Sequence, residues 1–226
     1  MRGQAGLVAE LLERLDLRDA TLVMSDWGGA LLYASGEGSD RLGRLALVSC
    51  EAFDNVPPGL PGTVAWLAAK APGGVNAALQ PLRLRPLRRL PIAFGWMAKR
   101  PIPNDVMDDW LRPALTNRAI RRDLAKYAGG ATEARPALLA ATERLRSFER
   151  PALVVWASED RVMPPEHGGR LADLLPHGEL VEVADSYTLI PEDQPDVLAD
   201  HLRRFVAGDE RHLRAGRAPL VDALES

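Results

Sequence analysis

Four short apolar runs constrain the fold of this 226-residue chain more than any other feature of its sequence. Near-continuous apolar runs are typical of strands that are covered on both faces, as in a parallel sheet. Stretches with apolar residues at helical spacing separate these runs, so the pattern predicts an α/β fold with a mostly parallel, doubly wound sheet. The predicted strands are residues 20–25, 45–49, 151–158 and 180–183.

Helices are predicted around these strands from the helical period of the apolar positions. The first occupies residues near 5–16 and is expected to bury one stripe of its surface. A helix around Leu171 and Leu174 links the last two strands, and residues 195–206 form the closing helix. The predicted stripe of the first helix consists of Leu7, Val8, Leu11, Leu12 and Leu15.

Residues 54–148 form a long insertion between the second and third predicted strands, and no part of it has a strand pattern. It contains helical pieces bounded by prolines, and one of them has Asn117 as an N-cap ahead of a stripe that includes Tyr127. We therefore predict a helical cap over the carboxyl edge of the sheet. The predicted division is a core of residues 1–53 and 149–207, a cap of residues 54–148 and a polar tail of residues 208–226.

Two further features of the insertion each allow two interpretations. The basic run at residues 82–90 is ordinarily a solvated face of the cap, and a phosphate- or partner-binding patch is the alternative. The tryptophans of the cap either pack inside it or line a ligand pocket, and packing is the more common role. These tryptophans are Trp66, Trp96 and Trp110.

Composition narrows the classes of function. Hydrophobic residues make up 46% and charged residues 26% of the chain, which is enough for an ordinary soluble core. The formal net charge of -3 argues against general binding to nucleic acid or to anionic membranes. No apolar run has the length of a membrane span or the form of a signal peptide. The single cysteine, Cys50, fits a reducing, cytoplasmic setting.

A strand-to-helix turn with the sequence DWGG carries the first candidate for chemistry, Asp26. Open parallel sheets collect their reactive groups at the carboxyl ends of the strands, where this turn lies. A nucleophile on such a turn needs a small residue two positions later, because the backbones crowd there. Centring the turn on Asp26 places Gly28 at that position. Centring it on Ser25 would place Trp27 there, so Asp26 is the better nucleophile candidate, and a simple N-cap is its alternative role.

At this point the sequence resembles the α/β-hydrolase superfamily, and within it the branch of haloalkane dehalogenases and epoxide hydrolases. The resemblance rests on the order and spacing of several segments and extends to about Phe205. It includes the helical insertion. The other matching segments are DWGG at residues 26–29, RLGRL at 41–45, WASEDRVMP at 156–164 and PEDQP at 191–195.

The resemblance implies a role for each polar residue at the carboxyl edge. Asp26 would attack an sp³ carbon and form a covalent ester, which an activated water then hydrolyses. The backbone N–H of Trp27 would be an oxyanion donor, and its indole a contact for the leaving group. Asp160 would be the acid that orients a histidine, with a simple turn or helix-cap residue as its alternative role. Glu51 matches the place where some relatives carry that acid instead, but a carboxylate at the surface or at the base of the cap is the more ordinary interpretation.

Three features depart from the family pattern. Thr188 occupies the position of the catalytic histidine, and a hydroxyl cannot accept a proton from water near neutral pH. The family places further strands, and a loop that donates a second oxyanion N–H, ahead of the nucleophile strand, whereas this sequence begins one helix before it. Met24 stands where a small residue is expected. His167 is on the correct side of the sheet, but we expect an exposed helix position there and no effect of its replacement on activity.

The sequence therefore predicts a hydrolase of a small apolar substrate that uses an aspartate nucleophile and is impaired in turnover. A non-catalytic relative that binds a ligand or a partner is the main alternative, and a truncated gene product is another. Self-association through an uncovered sheet edge is a further consequence of the missing strands. The sequence contains no metal cluster, phosphate-cradling loop or dinucleotide fingerprint, so no cofactor is expected.

Overall fold

A computed structural model of the chain describes residues 2–26, 31–36 and 39–208. Its sheet has the strand order β1-β2-β3-β4, and every neighbouring pair is parallel. The predicted α/β class and the parallel sheet are confirmed, and the four predicted strands are present with small differences at their ends. The strands are β1 (Ala20–Asp26), β2 (Leu42–Cys50), β3 (Ala152–Ala157) and β4 (Gly178–Val183).

Helices cover the sheet and form the insertion between β2 and β3. Short 3₁₀ turns lie at residues 39–41, 80–83, 85–89 and 145–147. The helices are α1 (Arg2–Arg14), α2 (Leu31–Ala34), α3 (Gly59–Lys70), α4 (Gly74–Leu79), α5 (Asn104–Thr116), α6 (Arg118–Gly129), α7 (Ala131–Arg144), α8 (Glu166–Leu174), α9 (Ile190–Asp193) and α10 (Pro195–Ala207).

The sheet is covered on both faces, and its two central strands are the most buried part of the chain. All six residues of β3 are buried because β2 and β4 flank it and helices pack above and below. Side chains from α7 and α8 form a buried cluster with one face of the sheet, including Leu138 and Leu171. On the other face, Leu198 and Phe205 of α10 pack against Val48 and Val155. Helices on both faces account for the doubly wound pattern of the sequence.

The first helix does not bury the stripe that its periodicity predicts. Leu12 is buried, but Leu7, Leu11 and Leu15 are 65%, 55% and 60% exposed. The spacing correctly indicated a helix with apolar residues on one side. The spacing could not show how much of this apolar side is covered. Within the described residues, only part of it packs against another helix or strand. β1, beside this helix, is an edge strand, and its Val23 is 45% exposed.

The insertion between β2 and β3 is helical, as its sequence predicts, and Asn117 caps α6 by accepting a hydrogen bond from the Ala119 N–H at 2.8 Å. Trp66 and Trp96 pack against the main buried cluster, whereas Trp110 is 44% exposed. α7, at the end of the insertion, is itself part of that cluster. The division at residues 54 and 148 stays a prediction, and residues 209–226 of the predicted tail lie outside the described residues.

Candidate active site

Asp26 is the last residue of β1 and has a φ of +55°, in the left-handed region. Residues other than glycine adopt this conformation rarely, and aspartate is among those that tolerate it best. Such a backbone turns the chain sharply out of the strand, as the sequence predicts for a residue ahead of the helix α2. The side chain is partly exposed. The predicted oxyanion donor Trp27, with the glycines of the DWGG turn, lies outside the described residues.

Glu51 lies directly beside Asp26 at the carboxyl edge of the sheet. β1 and β2 pair in parallel up to the partners Asp26 and Cys50, and the Glu51 N–H donates to the Asp26 carbonyl at 3.1 Å. Glu51 is fully buried, so of its two expected non-catalytic positions the one at the protein surface is wrong. The surface interpretation failed because the residue follows a strand that is covered on both faces.

Tyr127 of α6 belongs to the same group of side chains, although the sequence suggested only that it lay on a helical stripe. Burial raises the pKa of its hydroxyl, and the nearby charges of Glu51 and Asp26 raise it further. The pKa of the Cys50 thiol is raised well above its ordinary value by burial and then by the same two carboxylates. The insertion therefore contributes a hydroxyl that burial and the charges of both acids keep protonated. No local sequence signal distinguishes this tyrosine, because its position depends on how α6 crosses the sheet.

Asp160 and Thr188 are joined by a short hydrogen bond beyond the ends of β3 and β4. The Thr188 hydroxyl donates to Asp160 Oδ1 at 2.6 Å, and both residues are buried. The same oxygen accepts the N–H groups of Val162 and Met163 at 2.9 Å each. The threonine at the expected histidine position therefore contacts the expected orienting acid directly.

The environment of Asp160 favours its protonated form. Burial raises the pKa of this carboxyl, and the hydrogen bonds from Thr188 and from the backbone oppose the shift only in part. Its Oδ2 is buried without a hydrogen-bond partner among the described residues, although the Ser49 hydroxyl is near enough to favour the charged form. Ser49, from β2, also accepts the Ala157 N–H at 3.1 Å. Ser49 therefore connects the end of β2, which precedes Glu51, to the end of β3, which precedes Asp160.

His167 is not the exposed helix residue that its sequence position suggested. It is 4% exposed in α8, and its ring meets the edge of Phe53 with a centroid distance of 5.0 Å. Burial, followed by the charge of Arg170, lowers the pKa of its imidazole, so the neutral form is favoured. Its Nδ1 has no hydrogen-bond partner among the described residues. The expectation of exposure failed because Phe53, from the loop after β2, covers the helix at this point.

Asp193 is a buried carboxylate whose structural role the sequence did not reveal. It accepts the N–H groups of Lys99 and Arg100 at 2.8 Å each, and that of Tyr187 at 3.0 Å. The Ser186 hydroxyl adds a longer contact of 3.4 Å. One carboxylate thus holds the loop that carries Thr188 against residues 99 and 100 of the insertion.

The carboxyl edge thus carries two adjoining groups of residues. Asp26, Glu51 and Tyr127 form the group at β1 and β2, and Asp160 with Thr188 forms the group at β3 and β4. Within the described ranges, no set of three or more histidine, cysteine, aspartate or glutamate side chains is arranged to hold a metal ion. None of the described helices is both long and apolar enough to cross a membrane.

Comparison with known proteins gives matches along nearly the whole chain. The model of the alpha/beta hydrolase family matches residues 2–201. An uncharacterised hydrolase of Bacillus subtilis, YugF, is 36% identical over 64 residues, which are 28% of this chain and 23% of YugF. This match thus spans less than a quarter of the relative.

Solved structures share the fold at lower sequence identity. The haloalkane dehalogenase DatA of Agrobacterium tumefaciens, solved as a mutant, superposes with a TM-score of 0.72 and 18% identity. The match covers 91% of this chain and 73% of DatA. A thermophilic esterase from Thermogutta terrifontis superposes with a TM-score of 0.66 and 22% identity, over 90% of this chain and 71% of the esterase. Likeness at this level of identity establishes the fold and leaves the substrate open.

Proposed function

The chain belongs to the α/β-hydrolase family, and we propose that it acts on a small apolar substrate through Asp26 as the nucleophile, with impaired turnover. The observation that carries this proposal is the left-handed backbone of Asp26 at the end of β1. A residue held in that conformation between a strand and a helix is presented towards a ligand. The buried Glu51 is further support, because its backbone N–H holds the carbonyl of Asp26 at the end of the strand.

The proposed first step is a displacement at an sp³ carbon. A carboxylate oxygen of Asp26 attacks the carbon, and the bond from that carbon to a halogen or to an epoxide oxygen breaks. The leaving group departs with the electron pair, and an alkyl ester forms on the aspartate. An epoxide oxygen then takes up one proton from solvent. This step requires no general base, because a carboxylate attacks without giving up a proton.

The second step, hydrolysis of the ester, is where we place the impairment. Water must lose a proton as it attacks the ester carbonyl, and a histidine ordinarily accepts that proton. The Thr188 hydroxyl, held against Asp160, cannot accept it near neutral pH. General-base catalysis contributes about 10²–10⁴-fold to such steps, so we expect the ester to accumulate on the protein.

Intact-mass spectrometry tests this proposal directly. The folded chain is incubated with 1-bromobutane or with styrene oxide, and peptide mapping then locates any added mass. We expect a single adduct on Asp26 in the native chain and none on that peptide in Asp26→Asn, which cannot attack in the same way. A folded native chain without an adduct on Asp26 would refute the nucleophile. Steady multiple turnover would refute the impairment.

The geometry of Asp160 also favours a second candidate function, non-catalytic ligand or partner binding. Its Oδ1 accepts three hydrogen bonds, one of them from Thr188, so this oxygen is occupied where a catalytic histidine would otherwise donate. Such a chain would bind a ligand without transforming it. Saturable binding of an unreactive analogue such as butanol, together with no adduct from either reactive probe, would favour this function.

A further inference from the structure

A cavity within the cap, separate from the candidate active site, is walled by arginines. Its volume is about 360 Å³, within the range of small-molecule sites. Four of the described residues that line it are arginines, and none of them is an aspartate, a glutamate or a candidate catalytic residue. These arginines are Arg85, Arg88, Arg89 and Arg100.

Arg88 is the most unusual of the four because it is only 6% exposed. Its Nε donates to the Leu82 carbonyl at 2.7 Å, and its Nη2 donates to Asp108 Oδ1 at 2.6 Å. Its Nη1 is buried without a hydrogen-bond partner among the described residues. Burying a guanidinium is unfavourable unless each of its N–H donors has an acceptor. The Nη1 of Arg88 is a donor in the cavity wall that a bound anion would satisfy. The prediction that the basic run forms a solvated face is therefore wrong for Arg88.

The acids around the cavity do not balance its positive charge. Asp108 is shared between Arg88 and Arg85, whose Nη2 is 3.5 Å from its second oxygen. Arg100 forms its ion pair with Asp185, which also pairs with a lysine. Arg89 has no ion pair within the described residues, and its side chain is exposed. An excess of fixed positive charge around a concave site attracts anions.

The remaining wall residues indicate what kind of anion would fit. Phe94, Ile102 and Met107 line the same cavity, so part of its surface is apolar. Asn104, the first residue of the 13-residue helix α5, lies there as well, which adds the positive end of a helix dipole. Guanidinium groups match the planar forks of carboxylates and the oxygens of phosphates.

We propose that this cavity binds an amphiphilic anion, with a carboxylate or phosphate head among the arginines and a short apolar body against Phe94 and Met107. The inference does not depend on the proposed function, because no residue of the candidate active site lines the cavity. The proposal gives the basic run at residues 82–90 a ligand class, amphiphilic anions. The negative net charge of the whole chain does not indicate such a site.

Calorimetric titration of the full chain with four probes tests the proposal. Octanoate and octyl phosphate carry both parts of the ligand, octanol lacks the charge, and inorganic phosphate lacks the apolar body. We expect one of the two amphiphilic anions to bind with one-to-one stoichiometry and at least about tenfold more tightly than octanol or phosphate, the factor of one charge-assisted contact. The tighter of the two identifies the head group.

Two matched arginine variants then locate the site. Arg89→Gln removes an exposed, unpaired arginine of the wall, and we expect affinity to fall about tenfold. Arg83→Gln removes an exposed arginine of the same basic run that does not line the cavity, and we expect no change. Asp26→Asn should also bind as the native chain does. Equal binding of octanol, equal binding of inorganic phosphate, or equal losses in the two arginine variants would overturn the proposal.

Discussion

The carboxyl ends of β1 and β3 lie on the same edge of one sheet, but their surroundings differ. β3 has a strand on each side, and beyond its end Asp160 is buried and accepts three hydrogen bonds. In the part of the chain that the structure describes, β1 has a neighbour on one side only, and its terminal Asp26 is partly exposed with a left-handed backbone. The acid beyond β3 is thus held by several hydrogen bonds, whereas the partly exposed acid of β1, with its unusual backbone, is the better placed of the two to meet a ligand.

The segments that pack around the two strand ends also differ, and again those around β3 and β4 are the more firmly held. The loop that carries Thr188 is held to residues 99 and 100 of the insertion by the buried carboxylate of Asp193. Beside β1, by contrast, Leu7 and Leu11 of α1 are more than half exposed. We infer that stability is concentrated around β3 and β4, and the following predictions test this inference from the largest expected effect to the smallest.

Asp193→Ala should have the largest effect, because it leaves three backbone N–H groups without their acceptor. An unsatisfied buried donor costs about 1–3 kcal/mol. The Tyr187 N–H is buried and the other two are partly buried, so we take the lower end for each and expect a loss of about 3 kcal/mol in the free energy of unfolding. Urea denaturation measures it. Asp200→Ala is the control, since that residue forms only an exposed ion pair with Arg203 and should change stability by less than about 0.5 kcal/mol. Similar losses in both variants would contradict the structural role of Asp193.

Thr188→His should restore a general base opposite Asp160 and accelerate hydrolysis of an Asp26 ester by about 10²-fold, the lower end of general-base effects. The measurement is the rate at which the alkyl adduct disappears from the intact protein. The larger side chain enters a buried position, at a cost of about 1–3 kcal/mol, so melting must confirm that the variant is folded. Thr188→Ser is the control and should leave the rate unchanged. A folded histidine variant with an unaltered rate would argue against this catalytic arrangement.

The sequence allowed the sheet and its polar edge to be predicted because both depend on local patterns. Buried parallel strands are apolar along their length, which identifies β3 from its own six residues. The resemblance placed Asp160 and Thr188 at matching positions, and the structure joins them by a hydrogen bond of 2.6 Å. The site roles of Asp26 and Glu51 stay predictions, although the structure places these two residues side by side.

The remaining features depend on contacts between distant segments, which a single sequence does not contain. Periodicity indicates which residues share a helix face, but not what faces them, and α1 is exposed for that reason. The burial of His167 depends on Phe53 from another loop, and the position of Tyr127 depends on the path of α6. Arg88 belongs to a run that looks solvated, yet its contacts with Leu82 and Asp108 place it inside the cap.

Replacing one valine in a central strand and one in an edge strand compares the stability of the two parts of the sheet. Val154 is fully buried in β3, whereas Val23 in β1 is 45% exposed. Val154→Ala should lower the free energy of unfolding by about 2 kcal/mol, from two lost methyl groups and the cavity that they leave. Val23→Ala should lower it by less than about 0.5 kcal/mol. Equal effects in chemical denaturation would show that the edge is covered in solution, as self-association through β1 would do.

The smallest expected effect is a change in how stability depends on pH. Burial raises the pKa of Asp160 above its ordinary value of 3.8. The folded chain therefore retains a proton that the unfolded chain has released, and its stability falls as pH rises from about that value through the folded pKa. Asp160→Asn removes this dependence. The difference in free energy of unfolding, native minus variant, should decrease with rising pH in urea titrations.

Asp185 gives a control of opposite sign at the same edge of the sheet. The hydrogen bond from Lys99 and the charge of Arg100 lower the pKa of its carboxyl, so its stabilising contribution is present above pH 3.8 and is lost as pH falls. For Asp185→Asn the same difference should therefore decrease as pH falls below that value. The pH range in which Asp160 affects stability lies above the ordinary aspartate pKa of 3.8, and the range for Asp185 lies below it. A general effect of net charge cannot produce these two opposite dependences of stability on pH. A difference for Asp160→Asn that is constant with pH would show that this carboxyl is not held in its neutral form.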